Sequence, residues 1–375
     1  MRTRRSVIAV LAVTLAGSLL GGAGLAAPAQ ARTPETPIGG PLLGKRGVVV
    51  DKRAKKLPKT QAAAFLVADA DTGEVLAAKD AHGHHRPAST LKALTALTLI
   101  GKLDKKLKVK PSREACNVEG SAVGLKPQRI YTVDDLMLAL MMVSGNDAAV
   151  ALAEANGGVA ATLRDMNAMA RRLQAYDTVA KTPNGLDRPG QRSSAYDLAL
   201  IARAGLADPD FRRYVSTKVA DFPAPKGKTY QIANHNRLLW RYKGMIGVKN
   251  GWTSKALGSF VGAATRNGHT IIVVIMRHAG YFWNEVADLL DWGFAVRGKV
   301  TPVGRLVDPL PAATAGPSPT PSPPAVAGAP ARNIAVPAPR ADSGPPVVPV
   351  VIGAGLTGGL AWVGYGLYRR RRTAR

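Results

Sequence analysis

Ser89-Thr90-Leu91-Lys92 sets a hydroxyl and an amine three positions apart. On a helix that spacing puts both side chains on one face, one turn apart. A serine hydroxyl is a weak nucleophile until a base takes its proton. A lysine serves as that base at neutral pH only when its pKa is lowered. The start of a helix favours an oxyanion and disfavours an ammonium, so the position suits both tasks. The string alone is weak: S-x-x-K arises by chance about once in a chain of this length, and an exposed helical Ser and Lys would look the same.

Two further groups strengthen it. Ser144-Gly145-Asn146 falls between two apolar helical runs. Its hydroxyl could relay a proton and its amide could hold a substrate backbone, although polar residues at a helix-helix corner are common. Lys249-Asn250-Gly251 ends a strand-like run. A cation there could attract a substrate carboxylate, and a glycine lets a substrate backbone approach. The amide of Trp252 could join that of Ser89 as an oxyanion hole. The bland alternative is a surface turn.

The elements that must position these groups follow from periodicity. Residues 62–69 and 74–78 flank Asp71-Thr72-Gly73 as a β-hairpin. The run after Pro87 has helical spacing and ends near Gly101. Thr132 reads as the N-cap of a helix reaching Val143, and a second helix starts with Asp147 and stops at Gly157-Gly158. Residues 160–175 and 195–207 are further helices. Strands are predicted over 244–249, 259–265 and 270–277, the last two flanking the hairpin signal Asn267-Gly268. A helix over 281–296 closes the body. The order predicts an α/β (α+β) fold, with an antiparallel sheet built from both ends of the body, flanked by helices, and an inserted helical lobe.

Taken together, the strings resemble the serine penicillin-binding protein and β-lactamase superfamily, marked by S-x-x-K, S-x-N and K-T-G. Within it the chain looks most like the low-molecular-weight D-alanyl-D-alanine carboxypeptidases of peptidase family S11. The matching segments begin with Pro87-Ala88-Ser89-Thr90-Leu91-Lys92 and Val143-Ser144-Gly145-Asn146-Asp147-Ala148-Ala149. Asn184-Gly185-Leu186-Asp187, Asn234-His235-Asn236-Arg237-Leu238-Leu239 and Gly247-Val248-Lys249 follow. The resemblance implies a β-lactamase/DD-peptidase-like fold with the site between sheet and helical lobe. It implies removal of the terminal D-alanine from peptidoglycan stem peptides through an acyl-enzyme, with β-lactams as covalent inhibitors. Ser89, Lys92 and Ser144 would be catalytic, while Asn146, Lys249, Asn250, Gly251 and Trp252 would bind substrate.

One departure is that Asn250 stands where the family carries Thr, whose hydroxyl helps hold the substrate carboxylate; Asn donates from a longer, planar group. Another is that many relatives carry a second, β-rich domain, whereas here a Pro-rich stretch follows the body directly. The alternatives are a β-lactamase, for which no E-x-x-L-N-type segment appears between Asn156 and Asp197, and a catalytically weak wall-binding protein.

Residues 1–31 read as a signal peptide: a basic start, an apolar run and the small-x-small site Ala29-Gln30-Ala31. Residues 32–57 read as a flexible lead-in, 58–300 as the catalytic domain and 301–346 as a Pro/Ala-rich stalk. Residues 347–368 read as a transmembrane helix and 369–375 as a basic cytoplasmic tail. Both ends place the body outside the cell membrane. The net charge of +26 would suggest nucleic acid inside a cell. Outside it, no nucleic acid is expected, and the charge fits an anionic envelope polymer, lipid headgroups or solubility alone.

Cys116 is the single cysteine and reads as a small buried residue. The G-x-S-x-G, H-E-x-x-H, P-loop and paired C-x-x-C strings are missing. His82-Gly83-His84-His85 has no carboxylate beside it and reads as a solvated loop. No metal or cofactor is expected.

Overall fold

The computed structural model describes residues 36–311. The chain forms β1 (Val48–Val50), β2 (Ala64–Asp69) and β3 (Glu74–Lys79), then a 3-10 turn (Ala88–Leu91) that leads into α1 (Lys92–Ile100). Next come β4 (Lys108–Val109), α2 (Arg113–Cys116), β5 (Tyr131–Thr132), α3 (Val133–Met142), α4 (Asn146–Ala155), α5 (Val159–Arg172), α6 (Ala195–Ala207) and α7 (Pro209–Ser216). The last part holds β6 (Val219–Pro223), β7 (Thr229–Ala233), α8 (Leu238–Arg241), β8 (Met245–Thr253), β9 (Leu257–Arg266), β10 (His269–His278), α9 (Trp283–Val296) and β11 (Gly304–Arg305).

The main sheet runs β1-β3-β2-β10-β9-β8, with β11 also pairing β3, and all its pairs are antiparallel. Both ends of the body thus meet in one sheet, as the order of strands and helices predicts. Side-chain alternation explains the layers. On β10, Ile272, Val274 and Met276 join the core beneath the helical lobe. Ile271, Val273 and Ile275 face the opposite way and pack with Leu289, Leu290 and Trp283 of α9. Nearly every residue of β2 and β10 is buried because both faces of the sheet are covered.

The inserted lobe is held by local signals. Thr132 caps α3 in a reciprocal box with Asp135, and Ser194 caps α6 through the Asp197 amide. Cys116 is only partly buried, and burial pushes its thiol up, away from a reactive thiolate.

Two expected boundaries shift. The supposed flexible lead-in contributes β1, because Val48-Val49-Val50 is a β-branched run that completes the sheet edge beside β3. The body also continues past residue 300. Leu306 is fully buried, and β11 pairs Gly304 with Val75. Among the described residues, no helix is long and apolar enough to cross a membrane. The predicted signal peptide, most of the stalk, the span at 347–368 and the basic tail lie outside the described residues.

Candidate active site

The turn that carries Ser89 is clamped from three sides. Ala88 holds a positive φ of 49°, a costly conformation for a residue with a side chain. The Pro87 carbonyl accepts hydrogen bonds from Thr90 Oγ1 and from Ser259 Oγ on β9, each at 2.6 Å. Gly185 lies so close that a Cβ there would come 2.0 Å from the Ala88 carbonyl oxygen. These contacts hold Ser89 in place while leaving it partly exposed.

Lys92 is fully buried at the first position of α1. Its Nζ lies 3.0 Å from Ser89 Oγ, 2.7 Å from Asn146 Oδ1 and 2.6 Å from the Asn184 carbonyl oxygen. A neutral amine has two hydrogens and one lone pair. Asn146 and Asn184 offer only acceptor oxygens to it, so they take the two hydrogens. The lone pair is then left for the Ser89 hydroxyl. Burial holds the pKa of Lys92 well below its ordinary value, and the charge of Lys249 lowers it further. Asp147 opposes the shift.

Ser144 and Asn146 sit at the predicted break between α3 and α4, and the Asn146 side chain meets Lys92 there. Ser144 adopts a left-handed φ of 62°, and the chain re-enters a helix at Asn146. Ser144 is only 5% exposed. Asn146 is braced by loop 119–125: its Nδ2 donates to the Glu119 carbonyl at 2.7 Å, and its amide donates to the Ser121 carbonyl at 2.7 Å. Asp147 secures that loop by accepting from the amides of Val123, Gly124 and Leu125 at 2.8–3.1 Å. The Asn146 side chain thus spends both its ends inside the protein, and its observed contact is with the lysine rather than with an open groove.

Lys249 lies on β8, the edge strand, and is 1% exposed. Its Nζ donates to the Asn250 carbonyl at 2.8 Å, and burial lowers its pKa to about 7. No carboxylate pairs with it among the described residues, so an anionic substrate end would find an under-compensated cation. Asn250 is partly exposed and Trp252 is 66% exposed at the rim. The pKa of His235 is lowered by burial and by the charge of Lys249.

Gly251 is required by close approach. A Cβ at this position would lie 2.6 Å from the Ser89 amide nitrogen and 3.0 Å from that of Thr90. Gly251→Ala must therefore push β8 away from the nucleophile turn. Displacements of this kind cost about 10²-fold in rate. Steady-state kinetics should show that loss in kcat/KM, and the melting temperature should fall as well, because the clash is with backbone rather than with a flexible side chain.

The structure brings Ser89, Lys92 and Asn146 into direct contact and sets Lys249 close enough to influence Lys92. Sequence reasoning assigned no part to the Asn184 carbonyl or to loop 119–125. Asn184 stood within a matched segment, but a backbone carbonyl leaves no side-chain signal of its use. Carboxylates do flank the histidine loop, contrary to expectation: Asp177 reaches it from a distant segment, and Asp80 stands just before it in the chain. His82 Nδ1 bonds Asp177 at 2.7 Å, His84 Nε2 bonds the other Asp177 oxygen at 3.1 Å, and His85 bonds Asp80 at 3.1 Å. Burial disfavours charge on His82, yet Asp177 outweighs it and raises its pKa overall. His82 Nε2 meets the Ile38 carbonyl at 3.0 Å, so this loop pins the N-terminal edge of the body.

Comparison with known proteins places the chain in a family. The family model Peptidase_S11, D-alanyl-D-alanine carboxypeptidase, matches residues 51–280. The D-alanyl-D-alanine carboxypeptidase DacB2 of Mycobacterium tuberculosis is 42% identical over 257 residues, covering 67% of this chain and 88% of that protein. The Bacillus subtilis D-alanyl-D-alanine carboxypeptidase DacF is 32% identical; the match covers 65% of this chain and 64% of that longer protein. A crystal structure of D-alanyl-D-alanine carboxypeptidase from Mycobacterium tuberculosis H37Rv has a TM-score of 0.66 at 40% identity, covering 68% of this chain and 99% of its own. The Streptomyces K15 DD-transpeptidase has a TM-score of 0.61 at 28% identity, covering 64% of this chain and all of its own. The chain belongs to the S11 peptidase family of D-alanyl-D-alanine carboxypeptidases.

Proposed function

We propose that this serine hydrolase removes the terminal D-alanine of peptidoglycan stem peptides through an acyl-enzyme on Ser89. The observation that carries the proposal is the set of partners around Lys92 Nζ. Two acceptor oxygens engage its hydrogens, at 2.7 and 2.6 Å, and the Ser89 hydroxyl lies 3.0 Å away on the remaining side. Family membership supports the substrate class.

Ser89 Oγ attacks the carbonyl carbon between the two D-alanines, and its proton passes to Lys92 Nζ. The amides of Ser89 and Trp252 hold the oxyanion. The C–N bond then breaks, and the proton passes from Lys92 to the departing amine, with Ser144 as relay. Lys249 holds the terminal carboxylate, and Asn250, Gly251 and Trp252 line its approach. Asn146 acts chiefly by aiming Lys92. Water then attacks the ester, again giving its proton to Lys92, and frees the shortened peptide and the serine.

A β-lactam presents its strained amide to the same serine and leaves an ester there. The exported placement, with a membrane span at 347–368 behind a Pro-rich stalk, belongs to the same proposal and rests on sequence pattern. The test is D-alanine release by the detergent-purified full chain from a pentapeptide ending in D-Ala-D-Ala. Release is expected from that peptide and not from its D-Ala-L-Ala counterpart; equal release from both would refute the assignment.

Asn250 gives a finer prediction. Replacing it with the Thr of the related K-T-G string should lower KM a few-fold, because a short hydroxyl donor returns beside the carboxylate site. Steady-state kinetics on the pentapeptide checks this, and an unchanged KM would remove Asn250 from the carboxylate site.

A further inference from the structure

The outward face of α8 carries exposed aromatic and cationic groups that the hydrolytic mechanism does not use. Leu238 and Leu239 turn inward and pack with Met245, Phe260, Phe282 and Trp283. Arg237, Trp240 and Arg241 turn outward and are exposed. Their spacing of three and four residues puts them on one side of the turn. Trp240 is 52% exposed, and Lys218 Nζ lies 5.8 Å from its ring centre. Tyr281 is 55% exposed, with the guanidinium carbons of Arg237 and Arg241 at 5.8 and 5.9 Å from its ring centre. Arg241 also reaches Asn284 Oδ1 at 3.4 Å. Among the described residues, Lys218, Arg237 and Arg241 have no carboxylate in ion-pair range.

Half-exposed aromatic rings beside cations that have no carboxylate partner are not explained by solubility, for which Lys and Arg alone suffice. They fit a ligand that offers both flat apolar faces and anionic groups. Sugar rings present C–H faces that stack on Trp and Tyr, while carboxylates take guanidinium hydrogen bonds in pairs. The segment that leads into this face is tied to the end of α3. Two residues before Arg237, the His235 amide donates to the Met142 carbonyl at 2.9 Å, just ahead of Ser144.

We infer that the surface formed by Lys218, Arg237, Trp240, Arg241 and Tyr281 docks a peptidoglycan strand, its sugar rings against Trp240 and Tyr281 and the free carboxylates of its neighbouring stem peptides against the cations, while one stem peptide occupies the site. The inference rests on the proposed substrate class. It assigns this face to holding the polymer and leaves bond cleavage to Ser89 and Lys92.

The experiment has two arms and uses the full chain in detergent. The first measures co-sedimentation with purified insoluble peptidoglycan in a Ser89→Ala background, so binding is read without turnover. Arg237→Gln, Trp240→Ala and Arg241→Gln combined should weaken sedimentation roughly tenfold or more. Arg237→Lys, Trp240→Phe and Arg241→Lys combined keeps charge and ring and should retain most of the binding. The second arm compares D-alanine release from insoluble peptidoglycan and from the soluble pentapeptide, with Ser89 intact. The first triple variant should lose about tenfold on the polymer and stay within about twofold on the peptide. Unchanged sedimentation, or equal losses on polymer and peptide, would overturn the inference. Binding of anionic phospholipid vesicles with the same sensitivity to the triple variant would also overturn it, since the face would then be a lipid surface. A failed hydrolytic assignment would instead appear as no release from either substrate, with the sedimentation result intact.

Discussion

Ser89→Ala is expected to bring D-alanine release from the pentapeptide to background, a loss of about 10⁴-fold or more in kcat/KM. The reason is chemical: no other group in the observed constellation can form the ester. Lys92 is fully buried with its hydrogens committed to Asn146 and Asn184, and Ser144 is 5% exposed. The variant should fold normally, because the turn is held by Pro87, Ser259 and Gly185 rather than by the Ser89 hydroxyl. Its melting temperature should rise slightly or stay level, since an active-site polar group is removed beside a strained residue. Substrate affinity should survive, so equilibrium binding of the pentapeptide to the variant separates a lost nucleophile from a lost site.

Lys92→Met should cost about 10³- to 10⁴-fold in acylation rate, and adding it to Ser89→Ala should cost little more. Lys92→Arg should be as poor, because a guanidinium stays protonated and cannot accept the proton. The pH profile carries the same information with a definite sign. In the proposed mechanism Lys92 works as the neutral amine, and its pKa is depressed by burial and by Lys249. Activity is therefore present above the depressed pKa and falls as acid protonates Lys92. Lys249 is proposed to work as the cation, and burial places its pKa at about 7. Attraction for the substrate carboxylate is therefore present below that value and weakens as pH rises through it. In kcat/KM the two limbs give a bell. Lys249→Met should raise KM and remove the alkaline limb. It should also raise the pKa of Lys92, shifting the acid limb to higher pH, since a neighbouring charge has gone. An acid limb unmoved by Lys249→Met would mean that the two lysines are not coupled.

Much of the scaffold was readable because it depends on side-chain pattern. Asn267-Gly268 marked the β9-β10 hairpin, and Thr132 with Asp135 marked the start of α3. The Ser-Gly-Asn break fell between helices as expected, and Pro87 preceded the nucleophile turn. What stayed hidden depends on backbone groups and on distant pairings. The Asn184 carbonyl that completes the lysine's partners has no residue-type signature. Asp177 joins His82 and His84 from some 95 positions away. β1 and β11 are too short for a period to register, and their pairing with β3 is decided by the sheet edge rather than by local preference. The β6-β7 hairpin was missed because four of the five residues on each strand escape full burial, so no apolar alternation stands out. The lowered lysine pKa was expected from the helix start, but its main causes are burial and a second lysine brought in by the sheet.

The proposed reaction passes through an ester at Ser89 formed with Lys92 as base, and that ester can be trapped. The full chain should be incubated with a penicillin and examined by intact mass and peptide mapping. The expected result is a single adduct of one penicillin mass on the peptide containing Ser89. Ser89→Ala should form none, and Lys92→Met should form it about 10³-fold more slowly. An adduct on another residue, or equal labelling of wild type and Ser89→Ala, would contradict the account.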